Sequence, residues 1–540
     1  MNKITVKVFS LLVALVLFAG IMAGCGSASK SGTETAAEVS TSAPEATSAE
    51  PAAEPAAEPE ATGPDISKVV ELQLYMVGDA PTDLQLVVDK LDEMTKKDLN
   101  CTVKFNYTTW TDFQTKYSLV LSSGQPVDLI YTAVWLNYQK LVNSGAFLAL
   151  NDLLPTYAPE LQKFVPEDLW QGVTKDGKIY AIPSTYREYM NNGVLYRKDI
   201  ATKYSLPEPT NLDTLEQYLL GVKKNMPGQQ LLQEFVTPGV QTYSFSAAEV
   251  LNMKYSNAYG PMYGLTAPYD NPKELQDYWG SQDFVDDMKM FKRWADEGLI
   301  SRSALSDKTD ATAFENGKTI ATLNGLNIAK YTSAYTKSKL AHPDWKVAYA
   351  AFPVANGGKY WPNHATQNAY SIPTTSQNPE RALMFYQKLV LDKTYNQLTE
   401  YGFEGTHYTV DADGYYNYVG DPTKSGFAKE GMNGWAWRNP EFLLWQKNDQ
   451  VLKDMFAEAA KNAGPNKGEG FAEDYTAYSA ERAALGTVMT QYLAPMQAGL
   501  VPDVDAAIKT FREKAAAAGL QKIQDAVKAQ WAEYAASMGF

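Results

Sequence analysis

Gly177–Ile200, GKIYAIPSTYREYMNNGVLYRKDI, is the stretch that decides how the chain is divided. Lys178–Pro183 and Gly193–Arg197 have the apolar and aromatic content of two short strands. Between them, Thr185, Tyr186, Arg187, Glu188, Tyr189, Asn191 and Asn192 supply many hydrogen-bonding side chains over a few residues. A joint of this kind predicts a crossing between two lobes, with Tyr186, Arg187 and Glu188 lining the cleft. The plainer reading of Arg187 is a structural ion pair with Glu188 or another neighbour.

Upstream, Glu71–Met76, Thr102–Tyr107 and Val127–Tyr131 read as strands. They alternate with helical runs at Leu84–Lys97, Trp110–Ser122 and Trp135–Val142. This β-α alternation predicts a sheet with helices on its faces and mainly parallel strands. Ligands of such sheets sit at the carboxyl ends of the strands, which singles out Asp79, Trp110 and Trp135, with Tyr131 closing the buried strand. Asp79 also suits the role of a cap for the helix near Leu84, and the three aromatics that of core.

Downstream, Asp199 to about Asn363 forms a second region, with helical runs at Asn211–Lys223 and Asp283–Gly298 and strands ending at Asn324 and Phe352. Asn363–Pro373, NHATQNAYSIP, then predicts the return crossing. A helix follows over Pro379–Asp392, with Pro379 at its first position. Asn324, Asn368 and Glu404 are further candidate ligand contacts. Trp435-Ala436-Trp437 places two rings on one side if extended, and so forms a candidate stacking platform. Packing between the C-terminal helices and a lobe is the alternative. Helical spacing returns at Glu473–Gln497 and Ala506–Ala535, where Ile523, Val527, Trp531 and Tyr534 form one apolar stripe.

The N-terminus has a different character. Lys3 and Lys7 precede the apolar run Val8–Ala19, then Met22-Ala23-Gly24-Cys25, the layout of an exported leader too short to span a bilayer. Its end resembles a bacterial lipobox with Met22 in place of the usual Leu, so Cys25 is the expected lipidation site, bearing acyl chains such as palmitate. Ser27–Pro64 is a low-complexity Ala/Glu/Ser/Thr/Pro tether that cannot offset its own ordering entropy. Lipidation of one of the two cysteines leaves Cys101 alone, with no disulfide available. Stability then rests on the core of the 476 residues from Asp65 to Phe540. The net charge of the whole chain is −14. Subtracting the leader (+2) and the tether (−6) leaves about −10 on the body, which argues against nucleic acid as a partner.

Several chemistries lack their motifs. There is no phosphate-binding glycine loop, no G-x-S-x-G elbow and no H-E-x-x-H. The three histidines are scattered, and Asp411-Ala412-Asp413-Gly414 opens like a calcium loop without the glutamate that would close it. Neither metal nor cofactor is expected. A glycoside hydrolase would need two flanking carboxylates, which sequence alone does not identify among 62 acidic residues.

Taken together, DGKIYAIPSTYRE (Asp176–Glu188), NNGVLYRKDI (Asn191–Ile200), FENGKTIATLNG (Phe314–Gly325) and SQNPERALMFYQKLV (Ser376–Val390) resemble the extracellular solute-binding proteins of bacterial ABC transporters, in the maltose-binding-like cluster. YGFEGTHYTVDADG (Tyr401–Gly414) and the run Ala484–Tyr534 are similar to its LipO-like lipoproteins, which carry an extra helical C-terminal domain. The resemblance implies a two-lobed α/β periplasmic-binding-protein-like fold plus a C-terminal helical extension. It divides the chain into a leader (1–24), a lipidated cysteine and tether (25–64), lobe 1 (65–186 with 367–405), lobe 2 (187–366 with 406–465) and a helical region (466–540). It further implies a monomeric, non-enzymatic receptor, lipid-anchored on the extracytoplasmic face of the cell membrane. Such a receptor closes over an oligosaccharide, or alternatively a peptide or other small solute, and docks on a permease. The chain departs from the sugar receptors near Asn327, where a ring-stacking tryptophan is usual.

Overall fold

The computed structural model describes residues 64–110, 112–190, 193–232, 262–267, 271–306, 312–323, 328–355, 357–447, 449–465, 467–468, 471 and 473–540. The leader, Cys25, the tether, Asn324 and Asn327 lie outside them. The first strands are β1 (Val70–Val77), β2 (Cys101–Thr108), β3 (Leu129–Thr132), β4 (Ile182–Pro183) and β5 (Tyr189–Met190). They are followed by β6 (Gly193–Arg197), β7 (Ala321–Thr322), β8 (Val347–Ala351), β9 (Trp361–Pro362) and β10 (Ala369–Ser371).

The first lobe is built on a sheet of order β2-β1-β3-β10-β4. Strands β1, β2 and β3 run parallel, and β10 is antiparallel to both of its neighbours. The reversal follows from topology, because β10 is reached from the returning crossing. In β1, Leu72, Leu74 and Met76 are buried, the period-2 signature of a sheet face. Helices α1 (Leu84–Leu99), α2 (Phe113–Ser122), α3 (Pro379–Leu391) and α4 (Lys393–Tyr401) bury apolar side chains against the sheet. Pro379 sits at the start of α3, as its fixed φ favours.

The second lobe is centred on the antiparallel sheet β7-β6-β8. Alternate residues of β6 serve two cores: Val194 and Tyr196 enter the larger one, Leu195 a smaller one with Phe314, Tyr331 and Trp345. Helix α5 (Gln450–Lys461) covers the smaller core through Leu452. The C-terminal helices α6 (Val504–Ala517) and α7 (Leu520–Ser537) insert Ile508, Phe511, Ile523, Val527 and Trp531 into the larger core beside Phe291 and Trp294. The expected single run Ala506–Ala535 is two helices. Gly519, at φ 90°, turns the chain where a Cβ would lie 2.6 Å from the Glu481 side chain.

The segment after Tyr401 packs differently from the sequence expectation. The sequence reading places 406–465 in the second lobe, yet within that range Phe427, Met432, Ala436 and Trp437 are buried in the first-lobe core. His407 Nε2 lies 3.2 Å from Asp83, at the mouth of α1. At Trp445, which packs on the smaller core, the chain reaches the second lobe and continues there as α5.

The two crossings lie side by side. The Ser184 amide donates to the Asn368 carbonyl at 3.0 Å and the Asn363 amide to the Glu188 carbonyl at 2.8 Å. Strand β5 then pairs antiparallel with β9. The β10–β4 pairing therefore continues from the first lobe towards the second as two adjacent strands.

Candidate ligand-binding site

Three tryptophans from distant parts of the chain meet at the carboxyl edge of the first sheet. Trp110 follows β2, Trp135 follows β3, and Trp435 arrives on the late segment. The Trp110 ring lies 6.0 Å from Trp135, stacked at 27°, and 5.7 Å from Trp435. Phe113 meets Trp110 and Trp135 edge-on, and Tyr131 backs Trp135 and Trp435. Trp110 is 49% exposed, and Trp135 and Trp435 are half-buried. The result is an aromatic patch that keeps a solvent-facing surface.

Backbone geometry explains how Trp435 reaches the patch. Gly78, directly after β1, adopts φ 116°, and a Cβ there would sit 2.3 Å from the Asn433 amide nitrogen. Asn433 donates to the Val77 carbonyl at 3.3 Å, and the Tyr107 hydroxyl donates to the Met432 carbonyl at 3.3 Å. These bonds fasten the late segment to the ends of β1 and β2. The Ser184 hydroxyl donates to the Trp435 carbonyl at 3.1 Å, and the Trp135 indole to the Gln367 carbonyl at 3.2 Å. The patch therefore adjoins both crossings.

At the crossings lies a small pocket whose lining includes Tyr186, Arg187, Glu188, Asn363, Gln367 and Asn368. Asn363 donates to the Glu188 carboxylate at 3.2 Å. Asn368 Oδ1 accepts from the Tyr131 hydroxyl. Burial pushes the Glu188 carboxyl up, and the guanidinium of Arg438 opposes that shift. His364, also on the wall, is lowered by burial to about 4 and is neutral at physiological pH. Arg187 forms an ion pair with Asp168 of the short helix Glu167–Gly172, so the plainer reading of this residue holds with a different partner.

Behind the pocket stands Arg438, which sequence reasoning missed. It is 6% exposed, pairs with Glu430 at 3.0 Å and lies 4.6 Å from the Tyr186 ring centroid. Glu400, fully buried, faces the same cluster, and neither of its carboxylate oxygens has a hydrogen-bond partner. Neither residue carries a sequence signal, because a lone Arg or Glu in an aromatic stretch reads as surface.

The other expected site residues separate. Asp79 is exposed next to Gly78, and the residue preceding α1 is Asp83, not Asp79. Trp437 does not share a platform with Trp435. The segment is a turn rather than extended, and Trp437 is 0% exposed, its indole donating to Thr399 at 3.1 Å. Glu404 is also displaced from the expectation: it lies along another groove with Lys90, Met94 and Gln397, sharing no lining residue with the pocket. Asn324 lies outside the described residues. Among those described, no cluster of His, Cys, Asp or Glu is arranged to hold a metal, and no helix is long and apolar enough to cross a membrane.

The family described as bacterial extracellular solute-binding protein matches residues 80–395. The chain belongs to that family. A domain of unknown function, DUF3502, matches residues 467–536 of this solute-binding protein. A curated carbohydrate ABC transporter substrate-binding protein of Streptococcus pneumoniae is 23% identical over 475 residues, covering 86% of this chain and 90% of the relative. The N-glycan transport solute binding protein (NgtS) of the same organism has a TM-score of 0.70 at 19% identity, covering 86% of this chain and 99% of that one. That protein was also solved in complex with Man5GlcNAc (TM-score 0.60, 18% identity, 86% and 98% coverage). An alginate-binding protein, AlgQ2, has a TM-score of 0.56 at 18% identity, covering 87% and 99%. The solute-binding fold, two α/β lobes with C-terminal helices, is thereby shown.

Proposed function

We propose that this solute-binding protein captures an oligosaccharide or related glycoside between its lobes and delivers it to the permease of an ABC importer. The observation that carries the reading is the contact of the Trp110–Trp135–Trp435 patch with the polar pocket at the crossings. Flat apolar faces suit pyranose rings, and convergent amides and carboxylates suit their hydroxyls. The carbohydrate transporter relative and the glycan-bound neighbour support the same class of ligand. Titration of an oligosaccharide panel, followed by tryptophan fluorescence and calorimetry, tests it. Saturable 1:1 binding is expected. Binding of peptides with none of any sugar would replace it by a peptide receptor.

The receptor is non-enzymatic in this reading and works as a monomer. Bound glycan recovered unchanged after long incubation is the expected result, and hydrolysis by the purified chain would overturn it. Acyl chains on Cys25 hold the protein at the extracytoplasmic face of the membrane. The tether from Ser27 spans on the order of 35 Å on average, which lets the body reach the permease. Cys25→Ser should move the protein out of the membrane fraction; retention there would refute the anchor.

A further inference from the structure

We infer that the pocket at the crossings selects uncharged, hydroxyl-donating glycans and discriminates against acidic ones such as uronates. This inference rests on the carbohydrate reading and narrows its substrate class.

Arg187 is the only Arg or Lys among the residues lining the pocket, and it is committed to Asp168. Arg438, behind the wall, is committed to Glu430 and also faces the carboxylates of Glu188 and Glu400. Lys116, on α2, pairs with Asp112 at 2.8 Å. His364 is neutral at physiological pH, so it adds no positive charge. A ligand carboxylate entering here would meet no Arg or Lys on the described wall that lacks a carboxylate partner, and behind the wall only Nε of Arg438 has no hydrogen bond of its own. It would instead approach the Glu188 carboxyl, whose Oε2 already accepts from Asn363 at 3.2 Å, so that two acceptors would meet.

The inventory of hydrogen bonds points the same way. Asn363 is 8% exposed and its Oδ1 has no partner, so the wall holds a buried acceptor in want of a donor. Glu188 adds a second acceptor there. Sugar hydroxyls supply donors; an ionised carboxylate supplies none. A site built to receive hydroxyl protons rejects an analogue that lacks them, because its own buried acceptors then stay unpaired.

The test uses the full-length chain and matched ligands. Each member of a panel of neutral oligosaccharides is titrated calorimetrically alongside the same oligosaccharide with its C6 hydroxymethyl groups oxidised to carboxylates. The expected result is that each neutral ligand that binds loses at least ten-fold in affinity on oxidation. Glu188→Gln should narrow that gap to about three-fold or less. Oxidised ligands that bind as tightly as their neutral parents, or a gap unchanged in E188Q, would overturn this inference and leave the carbohydrate reading intact. No binding by any member, neutral or oxidised, would overturn the carbohydrate reading itself.

Discussion

Trp110 and Trp437 show how little residue type says about role. Both are tryptophans beside polar, turn-forming segments, yet one is half exposed on the aromatic patch and the other is sealed in the first-lobe core. Trp110→Ala should leave the melting temperature nearly unchanged and weaken glycan binding roughly ten-fold. Trp437→Ala should cost about 3–5 kcal/mol of stability, read from urea unfolding, through the cavity it opens. Equal effects of the two on Tm would refute the assignment. Glu400 makes a second prediction at this scale. Burial raises its carboxyl from 4.5 to about 8, with Arg438 opposing. Because its folded pKa lies above the unfolded one, the stabilising contribution is complete below pH 4.5. It is lost as pH rises through about 8, at roughly 1.4 kcal/mol per pH unit in between. Glu400→Gln should flatten stability against pH across that window, and an unchanged slope in urea unfolding from pH 5 to 9 would refute it. Neither Glu400 nor Arg438 was legible in the sequence, since a buried charge is defined by neighbours from other segments.

At the scale of elements, the crossings were the most legible feature. Tyr186, Glu188, Asn363 and Asn368 come together because two polar strands pair between two apolar cores, and both halves of that pattern are local. The late segment was not legible. Residues 406–437 return to the first lobe because Asn433 fits against Gly78, a contact across 355 positions. The C-terminal helices carry a further prediction. They complete the larger core of the second lobe, and the Trp531 indole donates to the Pro272 carbonyl at 2.8 Å. Ending the chain after Ala518 should therefore expose that core and abolish cooperative melting of the second lobe, with rapid proteolysis there. A truncated chain that melts like the full one would show the helices to be an appendage.

For the whole molecule, a ligand that touches both lobes favours the closed arrangement by its differential affinity. The radius of gyration from small-angle scattering should fall when a glycan shown to bind is added. An unchanged profile at saturation would refute closure about the crossings. What the sequence determined by itself was local: the β-α order of the first lobe, the positions of the crossings, and an expected leader and tether. Periodicity, composition and turn chemistry suffice for these, because each depends on residues close together in the chain. What only the tertiary structure decided was which tryptophans face solvent, which charges are committed to one another, and which core receives the last helices. Those depend on packing between segments: Trp435 takes its place from Trp110, and Arg438 from Tyr186 as well as from nearby Glu430.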